Sequence, residues 1–284
     1  MKNKLSLFAV PYVGWMSIFV VAPIIIMVVY AFSTAAGDFT LENFARMGTY
    51  TAVFTRSFKL AIIATLIALL IGYPVSYMLS KEGPQVQRIA MVLIMLPMWM
   101  NFLLRTYSWM SILENNGLLN QLFQQIGLID LYNQIAMHFA SDPAAYVPID
   151  HFQMIGTQGA VVLGMVYNYL PFMILPIYSV LVKLDHSLIE AARDLGASSV
   201  QVFRKVILPL SLPGVLSGIT MVFVPSVSTF AISRLLGGGT QMMLGDLIEQ
   251  QFLGGAYNPQ LGAAIALVMM AIVVVCMLVM NRFG

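Results

Sequence analysis

Charge is scarce in this sequence: only 9% of its 284 residues are Asp, Glu, Lys or Arg. A water-soluble domain carries roughly a quarter, because its surface must be wetted. Most of this chain's surface therefore faces something other than water. Cysteine is nearly absent as well. Cys276 stands alone, which excludes a disulfide framework and a cysteine-built metal site. No Gly-Lys dipeptide occurs, so the chain has no phosphate-cradling P-loop. The apolar runs hold almost no ionisable residues, whereas proton- or voltage-driven carriers place such groups deep in their spans. No His/Asp/Glu cluster or two-carboxylate arrangement suggests an intramembrane enzyme. His138 and His151 fall in a polar stretch and read as solvated histidines rather than metal ligands.

What is abundant is apolar sequence: 60% of the residues are hydrophobic and the mean hydropathy is +0.86. Five runs contain no charge at all: Leu5–Phe32, Leu60–Ser80, Phe152–Val182, Val206–Ser233 and Gln250–Asn281. A sixth, Ile89–Leu113, contains only Arg105. A helix rising about 1.5 Å per residue needs about 20 residues to cross the hydrocarbon core. Lipid offers unpaired backbone groups no partners, so helices are the form such segments take. The expected fold is all-α: one polytopic transmembrane domain over residues 1–284, with spans near 7–32, 59–80, 89–111, 159–182, 206–233 and 261–281. Lys2 and Lys4 precede the first run, but its apolar stretch is far longer than a signal-peptide core, so an uncleaved first span is expected.

The loops set the orientation. With six spans, both termini and the second and fourth loops share a side, which carries nine basic and four acidic residues. The other side carries five basic and eight acidic residues. The basic excess predicts cytoplasmic termini and gives no reason to expect nucleic-acid binding. On the outer side, Leu41–Phe44 reads as a short helix capped by Thr40. Leu118–Leu131 has helical apolar spacing, and the stretch with Pro143 and Pro148 reads as irregular. Pro74, Pro97, Pro171, Pro176, Pro209, Pro213 and Pro225 predict bends within the spans. In the fifth run, Gly214, Ser217, Gly218, Met221 and Pro225 recur at helical spacing, a face suited either to a second subunit or to packing within the chain.

The inner loop 183–205 is the most specific segment. Ser187-Leu-Ile-Glu190 fits a capping box, Leu188, Ile189, Ala192 and Leu195 fall on one face, and Gly196 suits a left-handed helix terminus. A plain connector helix would satisfy the same pattern. Glu190-Ala191-Ala192, then Gly196, then Val206 and Leu208-Pro209 resembles the EAA loop of ATP-binding-cassette importer permeases, with Val206 in place of isoleucine. Leu96–Trp109, Tyr169–Pro176, Val224–Phe230, Gly237–Gly239 and Gln251–Leu253 sharpen the resemblance to the spermidine/putrescine permeases of the B type.

That resemblance implies a type I importer permease fold in a bacterial cytoplasmic membrane, with no cofactor on this chain. It further implies a cytoplasmic ATPase dimer holding ATP and magnesium, a second homologous permease and an extracytoplasmic polyamine-binding protein. Glu190, Ala191, Ala192, Leu195, Gly196, Leu208 and Pro209 would couple the chain to the ATPase. Related permeases for iron or sulfate share much of this plan.

A polyamine carries two or more ammonium groups, so a pathway for it calls for carboxylates and aromatic faces. The residues that meet this are Trp99, Asn101, Tyr107, Glu114, Tyr167, Tyr169, Asp246 and Glu249. Trp99 lies deepest, beside Pro97; Tyr107 and Trp109 would equally serve as interfacial anchors. Asp246 and Glu249 could share a helix face or be ordinary loop acids. Asn101, Arg105 and Ser108 could share another, with Arg105 snorkelling outward or pairing with Glu114.

Overall fold

The computed structural model describes residues 11–139 and 146–282. Lys2, Lys4 and Pro143 lie outside the described residues. The described chain is all-α apart from an isolated antiparallel bridge between Ser33 and Phe39.

The first helix, α1, covers Pro11–Ala31. A short helix α2 (Glu42–Arg46) and a 3-10 turn lead into α3 (Thr51–Ser80). Thr40 does receive the Glu42 N–H on its hydroxyl, but the helix starts one residue later than the sequence suggests. After the tight turn Lys81–Gly83 comes α4 (Pro84–Met95), then a 3-10 turn and α5 (Phe102–Leu113). Two short helices follow, α6 (Leu118–Gln125) and α7 (Leu128–Phe139). The single helix expected over Leu118–Leu131 is thus two, because Gly127 takes a φ of +71° and turns the chain. Residues 146–157, with Pro148, are irregular as expected.

Next come α8 (Gln158–Leu181), the loop helices α9 (His186–Asp194) and α10 (Ser199–Val202), and α11 (Leu208–Ser228). The chain closes with α12 (Ala231–Leu236), α13 (Leu244–Leu253) and α14 (Pro259–Arg282). Among the described residues, five helical stretches are long and apolar enough to cross a membrane, and the bent pair around Asn101 makes six if it counts as one span.

Two apolar runs are interrupted where the sequence suggested continuous spans. In the third run, Pro84–Trp99 and Phe102–Gln125 meet at 90°. Pro97 lacks an N–H, Met100 is extended, and Asn101 caps a new helix by accepting from Leu103 N at 2.8 Å. In the fifth run α11 stops at Ser228, three residues after Pro225, and Thr229 is extended.

The centre of the bundle is α3, α8 and α11. Glycine lets their backbones approach. A Cβ on Gly218 would stand 2.8 Å from Met173 Sδ and 3.1 Å from the Met173 carbonyl, and one on Gly214 would stand 2.9 Å from the Pro176 carbonyl. Polar groups add links across the same helices: Ser76 Oγ donates to Gly72 O and to Ile174 O (3.1 Å), and Tyr73 Oη lies 2.9 Å from Ser211 Oγ. The small-residue face of the fifth run therefore divides. Gly214 and Gly218 pack inside the chain, while Ser217 and Met221 line an apolar groove against Met277 and Leu278 of α14. The bundle's periphery stays apolar; Leu70 is 73% and Leu278 65% exposed. Water would penalise that surface and hydrocarbon would not.

Candidate coupling loop and outer charge cluster

At one end of the bundle, α9 borders a cleft with the last turns of α3 and α8. Its start differs from the capping box predicted at Ser187–Glu190. Asp185 is the N-cap, accepting from Ser187 N at 2.9 Å, and Ser187 sits inside the first turn. A carboxylate at this end also suits the helix dipole. Glu190 is thereby free of a capping role, and it borders a cleft with Tyr77, Lys81 and Arg193. The Lys81 ammonium sits 3.9 Å above the Tyr77 ring.

The helix ends as predicted. Gly196 has a φ of +80°, its N–H reaches Arg193 O, and Ala197 N reaches Ala192 O at 3.1 Å. This paired closure satisfies two terminal carbonyls. The four apolar positions do not share one face. Ile189 and Ala192 pack onto the cluster formed by Met173, Ile177, Leu181 and Val202. Leu188 and Leu195 point away, the latter 90% exposed, with Ala191 exposed beside them.

A true capping box follows one turn later, where Ser198 Oγ accepts from Gln201 N and Gln201 Oε1 accepts from Ser198 N at 2.8 Å. The spacing S-x-x-Q carried that signal. A π-turn, Phe203–Ile207, then joins α10 to α11, and Phe203 packs edge-on against Tyr73 and Tyr77. Leu208 and Pro209 open α11 on its exposed side. Helix α9 is thus tied to the bundle on one face and open on the other.

At the opposite end, the pathway candidates fall into separate places. Trp99 is 75% exposed at the 90° bend, not deep in the bundle. Asn101 is a helix cap, Tyr107 is exposed, and Ser108 returns its hydroxyl to Leu104 O. Arg105 neither snorkels nor pairs with Glu114. It is 7% exposed, and its Nε and Nη1 have no hydrogen-bond partner among the described residues. The bend is the reason: it turns α5 so that this face meets α8 and α12 instead of water. Glu114 closes α5 and borders a shallow cavity with Gln153, Leu235 and Gly238. Tyr167 contacts Trp109 edge-on at 5.3 Å, while Tyr169 packs in the core with its hydroxyl 3.5 Å from Pro225 O.

Asp246 and Glu249 do come together, through a residue the sequence reading counted only as an outer basic group. Arg234 of α12 donates to both Glu249 oxygens, at 3.1 Å from Nη1 to Oε1, and its Nε is 3.8 Å from Asp246 Oδ1. Asp246 also accepts from Ser233 Oγ and from Met243 N (3.2 Å). Burial pushes the Asp246 carboxyl above the usual carboxylate range, against the pull of Ser233, Met243 N–H and Arg234; Glu249 adds to the rise. Helix periodicity pairs Asp246 with Glu249 but could not reveal Arg234, which comes from another helix. The Gly237–Gly239 turn was the available signal, since it folds α12 and α13 together.

An apolar helical bundle with spans long enough to cross a membrane and an amphipathic helix docked at one end is a polytopic membrane protein. Residues 65–284 match the family described as binding-protein-dependent transport system inner membrane components, and the chain belongs to that family. The spermidine/putrescine transport system permease protein PotB of Escherichia coli K12 is 36% identical over 252 residues, covering 86% of this chain and 85% of that one. PotB of Haemophilus influenzae is 36% identical over 261 residues, covering 89% and 85%. Among solved structures, a bacterial ABC transporter that imports the acidic polysaccharide alginate matches with a TM-score of 0.77 at 16% identity, covering 99% of this chain and 96% of that one. At that identity the match speaks for the importer permease fold alone.

Proposed function

We propose that this chain is a permease subunit of an ATP-driven importer of spermidine or putrescine in a bacterial cytoplasmic membrane. Its partners in this reading are an ATPase dimer, a second homologous permease and an extracytoplasmic polyamine-binding protein. ATP and magnesium belong to the ATPase, and this chain binds no cofactor. Both termini are cytoplasmic, and residues 1–284 act as one transmembrane domain.

The observation that carries the coupling role is the two-faced α9. Ile189 and Ala192 fasten it to the bundle, and Leu188, Ala191 and Leu195 present an apolar face to a partner. A helix held this way transmits a push as a rigid body. The substrate class is supported by the named relatives and by the paired carboxylates Asp246 and Glu249. The test is uptake by the assembled transporter in proteoliposomes containing ATP. Labelled spermidine should accumulate, and sulfate and iron should not. Accumulation of sulfate or iron instead would overturn the polyamine assignment, and uptake without any ATPase would overturn the importer class.

A further inference from the structure

Helices α12 and α13 are joined through Gly237–Gly239, where Gly238 and Gly239 take φ of +56° and +73°. The turn is pinned to the bundle. Thr240 Oγ1 donates to Gly156 O, Arg56 donates to Thr240 O, and Leu244 N donates to the buried Ser57 Oγ. This fixes a charge cluster at the outer end whose hydrogen bonding is incomplete. Arg234 spends one edge of its guanidinium on Glu249. Its Nε lies 3.8 Å from Asp246 Oδ1, an ionic contact without a hydrogen bond. Asp246 is 96% buried (4% exposed), and Oδ1 accepts no hydrogen bond from any described residue. One cation therefore serves two anions, and the three charges sum to −1.

The Arg234 N–H nearest Asp246 Oδ1, on Nε, stops 3.8 Å short while both terminal nitrogens are held by Glu249. A primary ammonium is compact and carries three rotatable donors, so it could serve both acids at once. Arg234 is also the accessible member, with its side chain 47% exposed against 5% for Asp246. The Arg234–Glu249 pair, with side chains 47% and 26% exposed, is reached by water, so swinging out of it costs little.

We propose that Asp246 and Glu249 form a transient ammonium subsite in which Arg234 is a displaceable occupant, leaving when a polyamine ammonium arrives and returning when it departs. This rests on the polyamine reading above. The built-in cation keeps the acids neutralised between cycles and holds substrate affinity low. A translocation site needs that, since a substrate must enter and still be able to leave.

The test is equilibrium binding of labelled spermidine to the complete transporter in nanodiscs, with no binding protein present, so that only the membrane site is read. Arg234→Gln should tighten binding about two- to fivefold, the scale of a half-exposed ion pair. Arg234→Lys, which keeps a tethered cation at the two acids, should show no such tightening, and Glu249→Gln should weaken binding. Thermal midpoints checked alongside confirm that each variant is folded. Binding that is unchanged or weaker in Arg234→Gln would overturn the inference and leave Arg234 as a structural clamp. So would wild-type binding in Glu249→Gln. If wild type imports spermidine through its binding protein while those results fail, this inference falls and the polyamine reading stands. If wild type imports none, both fall.

Discussion

Gly196 shows how one residue shapes the inner loop. Its φ of +80° lies in the left-handed region, and a Cβ there would meet nothing within 4 Å. The cost of substitution is therefore conformational and not steric. Gly196→Ala should destabilise the loop by about 1 kcal/mol, with Gly196→Asn milder because asparagine tolerates this conformation. Hydrogen exchange of the α9 amides would measure both. Gly196→Asp adds a charge at the helix's C-terminal end, against the dipole. It should abolish uptake while leaving the thermal midpoint of the bundle unchanged; normal uptake would remove the loop from the coupling mechanism. The left-handed glycine was legible from its place after an amphipathic run. The cap was not, because Asp185 and Ser187 are both good N-caps and only the entry path of the chain selects Asp185.

For the elements, the decisive contacts are backbone approaches made at glycine. The spacing of Gly214 and Gly218 left open whether their face met a second subunit or the chain itself. The structure seats them against α8 and turns Ser217 and Met221 outward. Gly218→Leu should force α11 and α8 apart and cost about 1–3 kcal/mol, the usual range for overpacking, seen as a lower thermal midpoint in detergent. A bulky residue at Ser217, on the open groove, should leave that midpoint within about 0.5 kcal/mol. Equal effects at both positions would refute this division. Breaks within elements were only half legible. Pro97 and Pro225 announced interruptions, but whether a proline bends a helix or ends it depends on a local group able to start the next one. Asn101 supplies that group in the third run.

For the whole molecule, the asymmetry of loop charge predicts which end faces the cytoplasm. With Cys276→Ser as background, single cysteines at Gly83 and Ser187 should react with a membrane-impermeant thiol reagent only after the cells are opened. Cysteines at Asn116 and Tyr257 should react in intact cells. The reverse pattern would invert the topology, and with it the assignment of α9 to an ATPase and of Arg234 to the entry side.

The sequence by itself determined the solvent and the element type. Charge-free runs of this length have one stable form in lipid, and that rule needs no knowledge of neighbours. It also carried the inner loop, whose residues are close together in the chain and answer to local helix chemistry. Only the tertiary structure decided which groups meet across elements: the burial of Arg105, the division of α9 into a held and an open face, and the union of Arg234 with Asp246 and Glu249. Those contacts depend on the angles at Asn101 and Gly237–Gly239. A few degrees of backbone rotation there move distant side chains by several ångströms, and no periodicity in the chain records them.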